Sequence, residues 1–333
     1  MNIFISGING GLGLNTAINL YAKGYDITGY GHASSQIHPI IKQINFVEGD
    51  LADKTKLKKA ISRSDVIMHF GGLTGFGHSL SDYVNSNILG TTNILEIITE
   101  EELSVKQFIF ASSSAVYGEG SYSCDFHGIS YPISRKNDEL KTKHWEYYCD
   151  ICGEILKPIP TKEDKALTNR HIYALTKQTC ENIINEFSKM YNITSIILRF
   201  SILYGINQAK GILPLFIKNI SNGKTIKLNE DGLQIRDYIF LEDAAEIVER
   251  ILKSNQKTQT YNVCNATPTS LVDLVTIISD VVKMPPKIKV TNKFRDGDIR
   301  HIYLDNKKLL NDYQYTFKNL NEGVTKMLNA NYG

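Results

Sequence analysis

Long apolar runs and a marked excess of either charge are both missing from this 333-residue sequence. No run approaches the ~18 apolar residues needed to cross a bilayer, so we expect no membrane association. Lys plus Arg number 37 against 35 Asp plus Glu, and this net charge of +2 disfavours nucleic acid as a partner. The strand-like run from Asn2 to Ser6 stands where a signal peptide would need a charged and an apolar segment. We therefore expect a cytoplasmic protein.

Cysteine is scarce as well, and three of the five cysteines lie between residues 124 and 152. In the cytoplasm they would stay reduced, which argues against a disulfide framework. The turns 124–127 and 149–152 are C-x2-H and C-x2-C, each followed by glycine, and this form is typical of two half-sites on one tetrahedral zinc. We predict a structural zinc bound by Cys124, His127, Cys149 and Cys152, with His144 as the reserve ligand if His127 is not one. Free cysteines or a redox Cys-x2-Cys pair are the alternatives, although a redox pair normally begins a helix after a strand.

Apolar strand-like runs alternate with helical patterns over the first 110 residues, which predicts an α/β fold with a Rossmann-type doubly wound parallel sheet. A helix over 172–191 and a strand over 195–200 continue the alternation. The expected strands in the first part are Ile3 to Ser6, Tyr25 to Tyr30, Ile44 to Val47, Val66 to Phe70 and Gln107 to Ala111.

Three regions with different patterns indicate the domain organisation. The Rossmann-type cofactor-binding domain is expected over residues 1–118, 154–205 and 235–264. Residues 119–153, rich in Tyr, Ser, Lys, Cys and His, are interpreted as a zinc-knuckle insertion. Residues 206–234 and 265–333 are expected to form a smaller α/β substrate-binding domain.

The segment from Gly7 to Gly13 follows the first strand and opens the first helix, which is the setting of a dinucleotide-binding turn. Glycines allow the tight turn and the approach of the backbone to a diphosphate, and the helix N-terminus favours negative charge. A purely structural turn is the alternative. The site expected for a nicotinamide cofactor comprises Gly7, Asn9, Gly10, Gly11, Leu12, Gly13, His32, Asp50, Leu51, Phe70, Gly71, Gly72, Asn87, Ser112, Tyr173 and Lys177.

The choice between NAD and NADP stays open, with NAD slightly favoured. Gly31 stands where an acidic residue normally accepts from the adenosine ribose, so no carboxylate there repels a 2′-phosphate. His32, Ser34 and Ser35 could donate to such a phosphate. Asp50 is a partner for the adenine amine.

Tyr173 and Lys177 are spaced i, i+4 at the start of a helical pattern, which places the phenol and the ammonium on one face. A tyrosine that acts as a base near neutral pH needs about 3 pKa units of stabilisation, or about 4 kcal/mol, and nearby positive charge can supply it. The strand ending at Ala111 is followed by Ser112, Ser113 and Ser114, at the sheet edge where ligands bind in such folds.

With these motifs the chain resembles the extended short-chain dehydrogenase/reductases of the NAD-dependent epimerase/dehydratase family. The resemblance covers nearly the whole chain and includes the glycine turn, 69–73, 87–91, the serine strand, 173–177, 199–205, 236–238 and 295–298. It implies that Ser113 binds a substrate hydroxyl, that Tyr173 is the base with Lys177 as its helper, and that Asn87 supports the site. It also implies a nucleotide-sugar substrate and a homodimer. The implied substrate contacts are Thr74, Ser113, Ser114, Arg236 and Arg295, with the two arginines clamping the nucleotide diphosphate.

Two departures from the family pattern narrow the reaction. Ser114 and Ala115 stand where dehydratases carry Asp-Glu, which argues against a 4,6-dehydratase. Ile202 replaces an Asn that contacts the substrate phosphates in relatives. The main hypothesis is an NAD(P)-dependent nucleotide-sugar epimerase acting at C4. The alternatives are an NADP-dependent ketosugar reductase or nucleotide-sugar dehydrogenase, and a non-catalytic cofactor-binding interaction module.

Overall fold

The structure is a computed structural model, and it describes residues 1–32, 38–75, 77–206, 208, 210–254 and 257–332. Its strands are β1 Asn2–Ser6, β2 Asp26–Gly31, β3 Asn45–Glu48, β4 Val66–His69, β5 Gln107–Ser113, β6 Ser121–Cys124, β7 Gly128–Ser130, β8 Lys157–Ile159, β9 Thr194–Phe200, β10 Ile202–Tyr204, β11 Thr225–Leu228, β12 Ile235–Arg236, β13 Tyr238–Phe240, β14 Gln259–Val263, β15 Thr269–Ser270 and β16 Lys287–Val290.

The helices alternate with these strands. They are α1 Gly11–Ala22, α2 Lys54–Ile61, α3 Leu80–Tyr83, α4 Gly90–Glu100, α5 Asn137–Lys141, α6 Ile172–Tyr191, α7 Ile212–Ser221, α8 Leu241–Leu252, α9 Leu271–Val282, α10 Lys307–Asp312 and α11 Leu320–Tyr332. Short 3₁₀ turns at Pro39–Lys42 and Ser114–Tyr117 and a π-helical turn at Val84–Leu89 complete the regular structure of the described residues.

A seven-stranded parallel sheet in the order β14-β9-β5-β4-β1-β2-β3 forms the centre of the molecule. Apolar side chains of β1, β4, β5 and β9 are buried on both faces, as the continuous apolar runs of parallel strands require. The chain leaves β1 towards β2 on one side and later returns to β4 on the other, so a crevice opens between the carboxyl ends of β1 and β4. Such a switch point is where ligands bind in doubly wound sheets. The Rossmann-type architecture is confirmed, and the five strands expected in the first 111 residues are present with ends shifted by two residues or fewer.

A second apolar core lies beyond the sheet, between α7, α9, α11 and the short strands β10, β11 and β13. Its buried residues include Phe216, Leu228, Tyr238, Leu274 and Val324. The strands β10 and β13 pair with each other instead of joining the large sheet. Their aromatic side chains belong to this second core although residues 202–204 and 238–240 were expected in the cofactor domain.

The insertion forms a small antiparallel sheet in the order β7-β6-β8. Its third strand, Lys157–Ile159, lies beyond the end at residue 153 that the sequence suggested, because β8 pairs with β6 and not with the large sheet. The core of this unit holds Tyr122, Tyr147 and Leu156 together with two cysteines. So small a core contributes little stability by itself, and folds of this kind normally use a metal or a disulfide in addition.

In the described ranges no helix is long and apolar enough to cross a membrane. This agrees with the lack of apolar runs in the sequence.

Close packing of α11 on β10 gives a test of the second core. A Cβ on buried Gly323 would lie 2.7 Å from two ring carbons of Tyr204 and closer still to its hydroxyl. We expect Gly323→Ala to lower the free energy of unfolding by about 1–3 kcal/mol, although alanine favours a helix by about 1 kcal/mol. In a Tyr204→Leu background the same substitution should be neutral or stabilising, as measured by urea denaturation in a double-mutant cycle.

The exposed Asn321→Ala in the same helix is the matched control, and it should change the unfolding free energy by less than about 0.5 kcal/mol. An equal cost of Gly323→Ala in both backgrounds would show that Tyr204 does not limit the packing of α11.

Candidate active site

A cleft of about 770 Å³ lies at the carboxyl edge of the sheet over β1, β4 and β5. Most residues predicted to bind the cofactor line it, and so do Thr74 and the catalytic candidates Tyr173 and Lys177. The lining residues among the predicted ones are Gly7, Asn9, Gly10, Gly11, Leu12, Gly13, His32, Asp50, Leu51, Phe70, Gly71, Gly72, Thr74, Ser112, Tyr173 and Lys177. The fold therefore brings segments from six parts of the chain to one cleft.

The glycine turn is so tightly packed at Gly7 and Gly13 that neither position has room for a side chain. Gly7 has φ +69°, and a Cβ there would lie 2.6 Å from the amide nitrogen of Gly71. A Cβ on Gly13 would lie 2.9 Å from the carbonyl carbon of Gly7. The turn leads into α1 without a side-chain cap, so the first amides of the helix face the cleft, as a diphosphate site requires. The geometry fits the phosphates of a dinucleotide.

Among the described residues that line the other end of the cleft, past β2, there is no lysine or arginine. His32 lies with Nε2 3.4 Å from Oδ2 of Asp50, and both side chains are largely exposed. Asn9 donates to the backbone oxygen of His32 at 2.6 Å and so joins the glycine turn to the end of β2. Ser34 and Ser35, suggested as donors to a 2′-phosphate, lie outside the described residues.

Tyr173 and Lys177 lie on the first turns of α6. His171 caps this helix, with its Nδ1 accepting from the amide of Ala174 at 3.3 Å. Lys177 is 4 % exposed, its ammonium donates to the carbonyl of Ala111 on β5 at 2.8 Å, and it lies 4.6 Å from the ring centre of Phe110. Burial lowers the pKa of Lys177 to about 8. The lysine thus places a poorly solvated positive charge at the edge of the cleft.

Ser113, at the end of β5, is the third member of the group that Tyr173 and Lys177 form. Its hydroxyl accepts from the amide of Ala115 at 3.2 Å and so caps the 3₁₀ turn after β5. Burial raises the pKa of Tyr173, and a hydrogen bond with Ser113 opposes this rise. The serine, the phenol and the ammonium therefore meet as the sequence predicted. Because burial alone disfavours the phenolate, further positive charge must lower the pKa of Tyr173 if it acts as a base.

A buried ion pair that the sequence reading did not identify holds α6 against the sheet. Glu181 on α6 accepts from Arg199 on β9, with Nη2 to Oε2 at 2.7 Å, and also accepts from the hydroxyl of Ser112. Arg199 donates a further hydrogen bond to Tyr117 at 2.9 Å. Glu181 is i+4 from Lys177 and lies on the same helix face. This spacing is the sequence feature from which Glu181 could have been identified.

Asn87 does not line the cleft but lies buried behind it, on the π-helical turn. Its Oδ1 accepts from the amide of Leu73 at 2.7 Å, and its Nδ2 donates to Thr176 on α6 at 2.9 Å. Turns of this type are frequent at functional sites, where they re-aim side chains. The position agrees with a supporting role for Asn87.

The substrate residues suggested by resemblance take different places. Ser114 lies half-buried in the 3₁₀ turn beyond the cleft wall. Arg236 donates to the backbone oxygens of Ile299 at 2.6 Å and Arg300 at 3.0 Å, so part of its guanidinium holds the segment after Arg295. Arg295 lies in an exposed turn that borders a second cavity. The expected diphosphate clamp of Arg236 is thus partly occupied by the protein's own backbone.

The four predicted metal ligands come together at two hairpin ends of the insertion. Their ligand atoms all lie within 4.8 Å of one another. The separations are 3.6 Å for Cys124 Sγ to His127 Nδ1, 3.6 Å for Cys124 Sγ to Cys152 Sγ and 3.4 Å for Cys149 Sγ to His127 Nδ1. Bond lengths of ~2.3 Å to sulfur and ~2.0 Å to nitrogen give tetrahedral edges of about 3.5–3.8 Å, so the cluster fits a zinc ion. His144 lies outside the cluster, with Nδ1 3.5 Å from Thr142 Oγ1.

Comparisons with known proteins agree with this architecture. The chain is 27% identical over 322 residues to a dTDP-L-rhamnose 4-epimerase of Burkholderia thailandensis, covering 91% of this chain and 87% of that protein. It is 26% identical over 334 residues to UDP-glucuronate 4-epimerase 5 of Arabidopsis thaliana, covering 90% and 68% respectively. The crystal structure of a Bacillus cereus UDP-glucuronic acid 4-epimerase with UDP-glucuronic acid and NAD superposes with a TM-score of 0.80 at 21% identity, covering 99% of this chain and 98% of that one.

The model of the NAD dependent epimerase/dehydratase family matches residues 3–137 and 150–264. The break between the two matched stretches covers residues 138–149, which lie inside the insertion. The glycine turn, the serine strand and the helix of Tyr173 all fall within the matched stretches. The chain belongs to the NAD-dependent epimerase/dehydratase family.

Proposed function

We propose that the protein is a nucleotide-sugar 4-epimerase that uses NAD. The observation that carries this proposal is the meeting of Ser113, Tyr173 and Lys177 beside a glycine turn that fits a dinucleotide. The 4-epimerases among its relatives support the choice of reaction. A reductase or dehydrogenase would use the same three residues. The reactions differ in whether the cofactor is restored within each turnover, as in an epimerase, or consumed.

Each of the three residues has a distinct task. As the phenolate, Tyr173 takes the proton from the C4 hydroxyl of the sugar, and the resulting phenol later returns it. Lys177 carries the positive charge that favours the phenolate, and the hydrogen bond from its ammonium to Ala111 fixes it in place. Ser113 donates to the same sugar oxygen and keeps it beside Tyr173. The glycine turn would hold the diphosphate of NAD, which would supply the hydride acceptor and donor and, in its oxidised form, positive charge that favours the phenolate.

The residues after Ser113 argue against elimination of water. A dehydratase needs an acid and a base next to the sugar, but Ser114 and Ala115 offer no titratable group. The remaining groups support oxidation of the sugar at C4, followed by return of the hydride to either face of the resulting ketone.

Tyr173→Phe tests the assignment of the base. We expect kcat to fall by about 10²- to 10⁴-fold because proton transfer is lost, while KM changes little. The assay is nuclear magnetic resonance of nucleotide sugars converted by the purified enzyme. Tyr191→Phe is the matched control, since this tyrosine ends the same helix and is 47% exposed. A Tyr173→Phe enzyme with near-normal kcat would contradict the assignment.

The adenosine end of the cleft favours NAD over NADP. A 2′-phosphate is normally bound by arginine or lysine, and neither occurs among the described residues at this end of the cleft or in the sequence from 31 to 37. Asp50 adds a negative charge close to His32. These features support NAD even though Gly31 provides no carboxylate for the ribose.

We expect the purified protein to retain NAD and to bind NADP at least about tenfold more weakly, a difference of about 1.4 kcal/mol. A Cβ on Gly31 would lie 3.6 Å from Ile8, so Gly31→Asp fits and should weaken NADP binding further while sparing NAD. Gly31→Asn is the uncharged control. Equal affinities would contradict the preference for NAD, and stoichiometric consumption of NADPH with substrate would replace the epimerase by a ketosugar reductase.

We also propose that the insertion binds one structural zinc ion. All four positions of a tetrahedron are supplied by Cys124, His127, Cys149 and Cys152, which leaves no open position for chemistry. The metal would contribute the stability that the small core of the insertion lacks.

Metal analysis of protein purified without chelators should find about one zinc per chain. His127→Ala should lose most of it, whereas His144→Ala, in the same insertion but outside the cluster, should keep it. A wild-type protein without zinc, or equal zinc in both variants, would contradict the site.

A further inference from the structure

The helix α6, which carries Tyr173, begins with an uncommon capping residue. Helices are usually capped by Ser, Thr, Asp or Asn, but here the cap is His171, whose Nδ1 accepts from the amide of Ala174 at 3.3 Å. The four usual residues would satisfy the same amide with a smaller side chain. What histidine adds to the cap is an aromatic ring, and that ring contacts Tyr173.

The imidazole of His171 stacks on the phenol ring of Tyr173, with centroids 5.8 Å apart and ring planes inclined by 12°. Residues two apart within one helix do not face each other. These two do because His171 still has an extended backbone, with φ −155° and ψ 163°, whereas Tyr173 is already helical. The side chain of the last residue before the helix therefore lies against the second residue within it.

The position of Tyr173 in the first turn of α6 explains why its ring needs such a neighbour. A helical side chain points towards the N-terminus and packs on the turn before it, but the second residue of a helix has no preceding turn. The phenol oxygen is held by its hydrogen bond with Ser113. The ring of His171 covers one face of the phenol ring, so the two contacts together fix the direction of the side chain.

His171 makes this contact as a neutral imidazole. A ring nitrogen that accepts from an amide carries no proton, so Nδ1 is unprotonated in this cap. Burial lowers the pKa of His171, and the charge of Asp298 opposes this effect only in part. Among the described residues that line the cleft, His171 does not occur. Its effect on the reaction therefore passes through the orientation of Tyr173.

We propose that His171 is the positioning residue of Tyr173, and that its ring holds the phenol in the orientation in which the oxygen meets Ser113 and the sugar hydroxyl. This inference rests on the proposed epimerase function, because it takes Tyr173 as the base. One side chain then has two separable tasks, since Nδ1 caps α6 while the ring orients the phenol. Substitutions that keep one task and remove the other distinguish them.

The test measures kcat, KM and bound NAD of the full-length protein with UDP-glucose, UDP-glucuronic acid and dTDP-L-rhamnose as substrates. His171→Asn keeps the cap but removes the ring, and we expect kcat to fall by about 10- to 100-fold, because a small misplacement of a reacting group costs this much. KM and bound NAD should stay unchanged. His171→Phe keeps a ring without the acceptor and should retain kcat within about threefold of the wild type, whereas His171→Ala should lose as much as His171→Asn.

His38→Ala is the matched control. Nδ1 of His38 accepts from the amide of Ile40 at 3.3 Å and so caps the 3₁₀ turn Pro39–Lys42 in the same way. Loss of this cap, which does not line the cleft, should leave kcat and KM unchanged.

A His171→Asn enzyme with near-normal kcat, or a His171→Phe enzyme as impaired as His171→Asn, would overturn the role of the ring while leaving the proposed function intact. A loss of bound NAD or a rise in KM as large as the fall in kcat would also overturn it, because the whole site would then be disturbed. The comparison of His171→Asn with His171→Phe decides even if His171→Ala does not fold. A wild type that epimerises none of the three sugars would overturn the proposed function and this inference with it.

Discussion

The buried ion pair between Glu181 and Arg199 is the interaction on which the geometry of the site depends. It joins α6 to β9, and through Ser112 and Tyr117 it also fixes the end of β5. Ser113 lies at the end of β5 and Tyr173 lies on α6. Their side chains therefore meet because the ion pair fixes the position of this helix relative to this strand. Removing one partner of such a pair leaves an uncompensated buried charge, which typically costs about 3–5 kcal/mol. The same pair therefore stabilises the fold and positions the chemistry.

Local patterns were sufficient to predict much of this molecule. The alternation of strands and helices gave the parallel sheet, the glycine spacing gave the turn, and the spacing of Tyr173 and Lys177 gave the shared helix face. The four zinc-ligand candidates were also evident, because each pair is closed within one turn of chain. Contacts between distant segments were not evident from the sequence. The partners of Glu181 and Arg236, and the pairing of β8 with β6, depend on how the chain folds back on itself.

The family match is interrupted at residues 138–149, inside the insertion. The metal-ligand cluster lies at one end of the insertion, and Glu119, Arg135 and Glu146 at the other end pair with the segment 298–301 and with Glu230. Buried charges of this kind contribute more to a defined arrangement than to net stability. These contacts fix the insertion against the segment 298–301.

The central claim is reversible oxidation of one sugar carbon by a cofactor that stays bound. A nucleotide sugar labelled with deuterium at C4, incubated with the enzyme in ordinary water, tests it most directly. The account predicts the 4-epimer with deuterium kept at C4 and no net change in the cofactor, both visible by nuclear magnetic resonance. Loss of the label to solvent, or its transfer to a released cofactor with a ketosugar as product, would contradict the account.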